Sequence, residues 1–351
     1  RLTVALQNYQ PDPDPVPSPV TMRFAQHRYS NSTPIDLSAF DVYDVQRGYT
    51  ASKPLKPGGE LYLYATIVRR GDPQRGDPQG LTQFLTPSLV PDSWCAHSPI
   101  GGLVTRDRGQ GSEQLINIAV SAWRAMAVTT IVAEVEKYNA TGLYVDEVDA
   151  WWKYAWSSIT STGAREFTTE GYWRSMWLTF LKELAGALHA KDRKLWVNLG
   201  ADYNLTDQWQ SAVVDTVDAV NIEFYTGREG AAPGPTTLND GWLSQNNFVA
   251  GVEQRGRPVH VHTSSLDQRV TDYAFTSWLL HTEFHGSFSA SRDYGGTIAF
   301  PDGALWTKAQ GLGRPVGRRE PDSSTGGFLR VFERGLVRVK PSTGSGLIEL
   351  R

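Results

Sequence analysis

Gly142-Leu-Tyr-Val-Asp146-Glu147-Val-Asp149-Ala-Trp151-Trp152 is an apolar run that stops abruptly in three carboxylates and two indoles. A strand of Leu, Tyr and Val is comfortable when buried, but carboxylates crowded at its end repel one another and lose hydration, so something must offset that cost. A functional site is one such offset. In parallel α/β proteins ligands sit at the C-terminal ends of strands, and indole faces beside acids suit a sugar ring. The alternative is that Asp146 caps a helix while Glu147 and Asp149 are solvated charges. Capping needs one acid, and this stretch has three.

Working outward, short apolar segments alternate with helical stretches and loops. Strands are expected at residues 22–26, 40–45, 61–67, 142–148, 194–199, 219–225 and 258–263, with a last one at 286–290 or 297–300. Helical spacing of apolar residues runs over 116–138, 172–190 and 272–285. This is the pattern of an α/β protein, a (β/α)8 TIM barrel. Residues 74–114 are rich in Pro and Gly without a regular period and read as a long loop after the third strand, over the barrel mouth. From there Trp94, His97, Arg106 and Asp107 could reach a substrate; a purely structural loop with one buried Trp is an equal reading.

Both ends of the chain differ from this body. Pro11-Asp-Pro-Asp-Pro-Val-Pro-Ser-Pro19 cannot be helix or central strand, so residues 1–20 read as an arm and linker, with the barrel spanning 21–315. Residues 328–341 alternate apolar and polar side chains around Glu333-Arg334-Gly335, and Gly346-Leu-Ile-Glu-Leu follows. A small C-terminal antiparallel β appendage is therefore expected over 316–351, packed on the barrel.

Composition narrows the function. A net charge of -3 with both signs interspersed gives no footprint for nucleic acid or an anionic membrane, and no apolar run is long enough to span a bilayer. The single cysteine, Cys95, makes neither an internal disulfide nor a Cys-based zinc site. The chain opens at Arg1 without an initiator Met or signal-like segment, as a mature form or an excised domain would. Cysteine poverty fits several compartments, and a secreted or virion-associated setting is favoured over the cytoplasm. Nothing bears on oligomeric state. With 12 Trp and 14 Tyr, several beside polar residues at strand ends, a carbohydrate cleft is favoured over a purely structural use of the aromatics.

Two strand-end carboxylates stand out for chemistry, Asp146 on the fourth strand and Glu223 on the sixth. Cleaving a glycosidic bond takes two carboxyl groups flanking it, one to donate a proton and one to act as nucleophile or to activate water. Asn198, on the strand between them, could orient a carboxylate or a sugar hydroxyl. Period-two alternation puts Asn221, Glu223 and Tyr225 on one face. The expected substrate contacts are Glu147, Asp149, Trp151, Trp152, Asn198, Tyr225, His27, Asp44 and His262. His260 and His262 share a strand face that could hold a metal, but strand-end histidines more often hydrogen-bond substrate or neighbours, so no metal and no cofactor are expected. No phosphate-binding loop or Gly-x-Ser-x-Gly elbow is present.

Residues 142–149, Asn198 and Asp218-Ala-Val-Asn-Ile-Glu-Phe-Tyr225 together resemble (β/α)8 glycoside hydrolases with catalytic carboxylates on strands four and six, in particular the endo-α-1,4-polygalactosaminidase type and related glycosidase-like barrels. The strand pair around Glu333-Arg334-Gly335 also looks like the β segment that closes such barrels. The resemblance implies Asp146 as nucleophile, Glu223 as acid/base, and an α-linked polysaccharide or glycoconjugate attacked internally with retention. A catalytically inactive barrel that only binds glycan, as part of a larger surface or phage structure, is the alternative.

Overall fold

The computed structural model describes residues 25–28, 35–45, 51–71, 90–107, 112–148, 164–199, 203–226, 241–283, 286–291 and 299–351. The N-terminal arm and linker, Asp149, Trp151 and Trp152 lie outside them.

Eight strands pair in chain order, each parallel to the next: β1 (Ala25–Arg28), β2 (Val42–Val45), β3 (Glu60–Ala65), β4 (Gly142–Val145), β5 (Lys194–Asn198), β6 (Ala219–Ile222), β7 (Val259–Thr263) and β8 (Ser287–Ala290). β1 and β8 come close to one another, so the sheet is a nearly closed barrel. The first strand lies slightly later in the chain than expected, the last takes the earlier of its two candidate positions, and β6 stops at Ile222, three residues short of the expected end.

Alternation along the strands sorts side chains to two sides of the sheet. Leu63, Leu143, Val145, Val197, Val220, Ile222 and Val261 point outward and join the main apolar core with the helices. Inward-facing Ala25, Val42, Tyr62, Tyr64, Tyr144, Trp196 and Ala219 form a second, separate cluster inside the barrel. Gly142 opens β4 where a Cβ would collide with the Lys194 carbonyl of β5, so the opening stretch can begin only with glycine.

Between the strands run α1 (Ser121–Lys137), α2 (Glu170–His189), α3 (Gln208–Thr216), α4 (Gly241–Glu253), α5 (Gln268–Leu279) and α6 (Gly303–Gly311). α1 buries Trp123, Ala127, Ile131 and Val135, a four-residue spacing that makes one stripe. Thr169, Asp207, Asp267 and Asp302 cap α2, α3, α5 and α6 by accepting first-turn N–H groups, each contributing about 1 kcal/mol. Among the described residues no helix is long and apolar enough to cross a membrane.

Part of the stretch expected as an irregular loop is ordered. Arg69–Gly71, Thr105–Asp107 and Ser112–Leu115 form a three-stranded antiparallel sheet. Its strands are too short to show a period in the sequence. Cys95 is buried here, bridged to Ile116, and Trp94 packs partly buried against the main core.

The C-terminal strands β9 (Glu320–Asp322), β10 (Gly327–Phe332), β11 (Gly335–Lys340) and β12 (Ser345–Leu350) form the expected antiparallel sheet. It sits against α5 and α6. Gly346 lies so close to Thr276 of α5 that any side chain there would collide. Arg330, only 2% exposed, donates to the carbonyls of Gly317 and Thr282 at 2.9 and 2.7 Å and to Glu283 Oε1 at 2.6 Å. Phe328 stacks on Trp242 of α4 with ring centroids 5.1 Å apart.

Candidate active site

All eight strands run the same way, so their C-terminal ends share one rim. β5 pairs with both β4 and β6, which places Asp146, Asn198 and Glu223 at three successive strand ends. The register makes Val145 level with Val197, and Asn198 level with Asn221. Asp146 is therefore at the height of Asn221, and Glu223 follows two residues after Asn221, just past the end of β6.

Asp146 extends the ladder by one bond, its N–H donating to the Ala65 carbonyl at 2.9 Å. Its side chain is 8% exposed and accepts three hydrogen bonds: Oδ1 from Asn198 Nδ2 at 2.9 Å and from the Glu147 N–H at 2.7 Å, and Oδ2 from the Tyr64 hydroxyl at 2.7 Å. A carboxylate only accepts, so three converging donors match it and fix its plane. Of the two uses expected for Asn198, the structure shows the first, orientation of a carboxylate.

Glu147 follows in the left-handed region at φ 57°, which costs a non-glycine residue on the order of 1 kcal/mol. Val148 then donates to the Asn198 carbonyl at 2.9 Å. Beneath Asp146, Tyr144 accepts from Asn221 Nδ2 at 3.1 Å, and Trp196 lies between Tyr144 and His260 with ring centroids 4.4 and 4.3 Å away. The barrel interior beneath Asp146 is thus aromatic and polar.

Glu223 is half-buried just beyond β6. Tyr225 does not share its face. The backbone turns left-handed at Phe224, φ 55°, and Tyr225 is carried into the outer core, with no exposed surface and its hydroxyl donating to Asn246 of α4 at 2.5 Å. Burial pushes the Tyr225 phenol well above its ordinary range, so it stays a donor. The expectation of a common face failed because period-two alternation holds only while the chain is a strand.

Asp44 and His262 are both wholly buried inside the barrel, Asp44 level with His27 and Tyr62, and His262 Nε2 within 2.9 Å of Ser291 Oγ. His260 Nδ1 lies 2.6 Å from Ser287 Oγ. His27 lies on β1, and its side chain is outside the described residues, as are those of Arg106 and Asp107. His97 contacts Glu166 through its N–H at 2.8 Å and Nδ1 at 3.1 Å, tying the loop after β3 to the loop after β4. Among the described residues no group of three or more His, Cys, Asp or Glu side chains could hold a metal ion. The sequence reading missed Tyr64. The alternation Leu61-Tyr62-Leu63-Tyr64-Ala65 carried the signal, since both tyrosines share the parity that faces inward.

No family model matches the chain, and no curated protein matches it. Solved structures do. The structure of Aspergillus fumigatus Ega3 in complex with galactosamine is similar at a TM-score of 0.50 and 12% identity, covering 84% of this chain and 100% of that one. The glycoside hydrolase domain of PelA from Pseudomonas aeruginosa is similar at 0.50 and 17%, covering 79% and 97%. At these identities the likeness is one of fold: the chain has the barrel architecture of glycoside hydrolase domains.

Proposed function

We propose that this glycosidase-type barrel is a glycoside hydrolase, with Asp146 as nucleophile and Glu223 as acid/base, acting with retention inside an α-linked polysaccharide or glycoconjugate. The observation that carries the reading is the seat of Asp146: a nearly buried carboxylate, held by three donors at a strand end, with a second carboxylate two strands away. Strands stand about 4.8 Å apart, so β4 and β6 are roughly 10 Å apart, and side chains leaning inward from both sides can close on one glycosidic bond. Retention requires carboxyl groups about 5 to 5.5 Å apart in the working complex. Tyr64 and Asn198 leave Asp146 one orientation, which suits a nucleophile that must meet the anomeric carbon in line. Asp149, Trp151 and Trp152 follow Asp146 directly, and we assign them to substrate contact together with Glu147; His27, Asp44 and His262 belong to the barrel wall below. The α linkage and internal cleavage rest on the resemblance to polygalactosaminidases.

The test is incubation with α-1,4-linked galactosamine polymer, its N-acetylated form and β-1,4-linked glucosamine polymers, followed by mass spectrometry and early proton NMR of the reducing end. The expected result is a ladder of oligosaccharides from an α-linked polymer, with the α anomer formed first. A β anomer first would reassign Asp146 to activating water. Binding without cleavage of any polymer would make the chain a lectin-like barrel.

A further inference from the structure

The residues after β6 leave strand geometry in a way that their own side chains disfavour. Phe224 and Thr226 both lie in the left-handed region, at φ 55° and 52°, where aromatic and β-branched residues are uncommon. Such a turn persists only where its surroundings over-determine it. Gln245 of α4, fully buried, accepts the Thr226 N–H on Oε1 at 2.8 Å and donates Nε2 to the Phe224 carbonyl at 3.4 Å. Its neighbour Asn246 accepts the Tyr225 hydroxyl and donates to the Trp242 carbonyl at 2.7 Å. From the other side, the Tyr225 N–H donates to the His262 carbonyl and the Thr263 hydroxyl donates to the Tyr225 carbonyl, each at 2.8 Å.

We infer that Gln245 is a positioning residue for Glu223, its amide bridging the backbone on either side of Tyr225 and so fixing the turn that carries the acid. The inference rests on the proposed role of Glu223 as acid/base. An amide suits the task because one planar group supplies a donor to a carbonyl and an acceptor to an N–H two residues on. Glutamate keeps the acceptor and loses the donor; methionine keeps the length and loses both.

The experiment uses the full chain with Gln245→Met, Gln245→Glu and, in parallel, Glu223→Gln. Steady-state cleavage of α-1,4-linked galactosamine polymer gives kcat, KM and the pH profile. Carbon-13 NMR of labelled glutamate carboxyls, assigned with Glu223→Gln, follows the Glu223 titration without any substrate. Folded Gln245→Met should lose about 10- to 100-fold in kcat with KM nearly unchanged, and its Glu223 midpoint should move. Gln245→Glu should recover towards wild type at acid pH, where its protonated carboxyl donates again. A folded variant with wild-type kcat and an unmoved Glu223 titration, beside an inactive Glu223→Gln, would overturn the inference. If Gln245→Met does not fold, Gln245→Glu is judged by the same readings, and the NMR titration alone decides if the polymer is not cleaved. Activity retained in Glu223→Gln would remove the Glu223 assignment itself, and the inference with it.

Discussion

Asp146 and Glu253 are both carboxylates with little exposed surface, 8% and 2%, one beyond the end of β4 and one at the end of α4. The protein treats them in opposite ways. Asp146 sits at the C-terminal end of β4 under three donors at 2.7 to 2.9 Å. Glu253 is sealed beneath the C-terminal sheet, where it takes the Glu283 N–H and a long contact of 3.2 Å from the Thr282 hydroxyl, and burial drives it up to about 8. Around Glu253 the cations are already committed. Arg330 is satisfied by carbonyls and Glu283, and Arg319 donates to His281 Nε2 at 2.8 Å. His281 gives its Nδ1–H to the Ser277 carbonyl, and burial with Arg319 beside it holds the ring well below the usual histidine range, neutral. Burial of a carboxyl group therefore does not by itself mark a site in this fold. What separates the two regions is whether the donors converge: three meet Asp146 at a strand end, while Glu253 has the Glu283 N–H and a long hydroxyl contact.

The largest effect that would test the contrast is on turnover. Asp146→Asn and Glu223→Gln should each lower kcat by 10²-fold or more while the thermal transition is kept, since the amides preserve volume and remove nucleophilicity or proton transfer. Near-normal turnover in either folded variant would dissolve the distinction between the rim and the docking layer.

At the docking layer the loss should appear in stability instead. Arg330→Met leaves the Gly317, Leu279 and Thr282 carbonyls without their guanidinium donor and the half-exposed Glu283 carboxylate without its partner, and should cost about 1 to 3 kcal/mol in denaturant unfolding, with turnover of the folded fraction unchanged. A variant as stable as wild type would mean that the sheet is held by Phe328 and the Gly346 contact alone.

Glu253 should show itself as pH dependence. Its folded pKa of about 8 lies above the ordinary 4.5, so it adds stability that is complete below 4.5 and lost as pH rises towards 8. Glu253→Gln should flatten that fall, a difference on the order of a few kcal/mol across the window. Parallel stability curves for the two proteins would place the charge elsewhere.

The smallest expected change is Tyr64→Phe, which removes one of the three donors to Asp146. Turnover should fall by roughly tenfold, in line with about 1.5 kcal/mol for a hydrogen bond to a charged group, with little change in melting. No change in kcat would leave the orientation of Asp146 to Asn198 and the Glu147 N–H.

These regions also differ in how far the sequence disclosed them. The barrel was legible because most of its strands set outward Val, Leu and Ile against an inner side richer in polar and aromatic residues, with turn residues between the elements. Asp146 and Asn198 were legible for the same reason, as polar groups at the ends of apolar runs. Tyr225 was misplaced because Phe224 adopts a left-handed turn that nothing in Glu-Phe-Tyr announces. The hold on that turn comes from Gln245 and Asn246, some twenty residues later, in a helix that reads as ordinary. Arg330 and Glu253 were silent too: an arginine on an alternating strand and a glutamate at a helix end look like surface charges until the two elements meet.

Cys95, the single thiol of the chain, is buried in the segment that joins β3 to α1, within 4.0 Å of the Pro91 carbonyl. Because no other sulfhydryl competes, its rate of modification by a thiol reagent reads the opening of that segment alone. Compared with global unfolding measured in the same solution, it tells whether that segment breathes independently of the barrel.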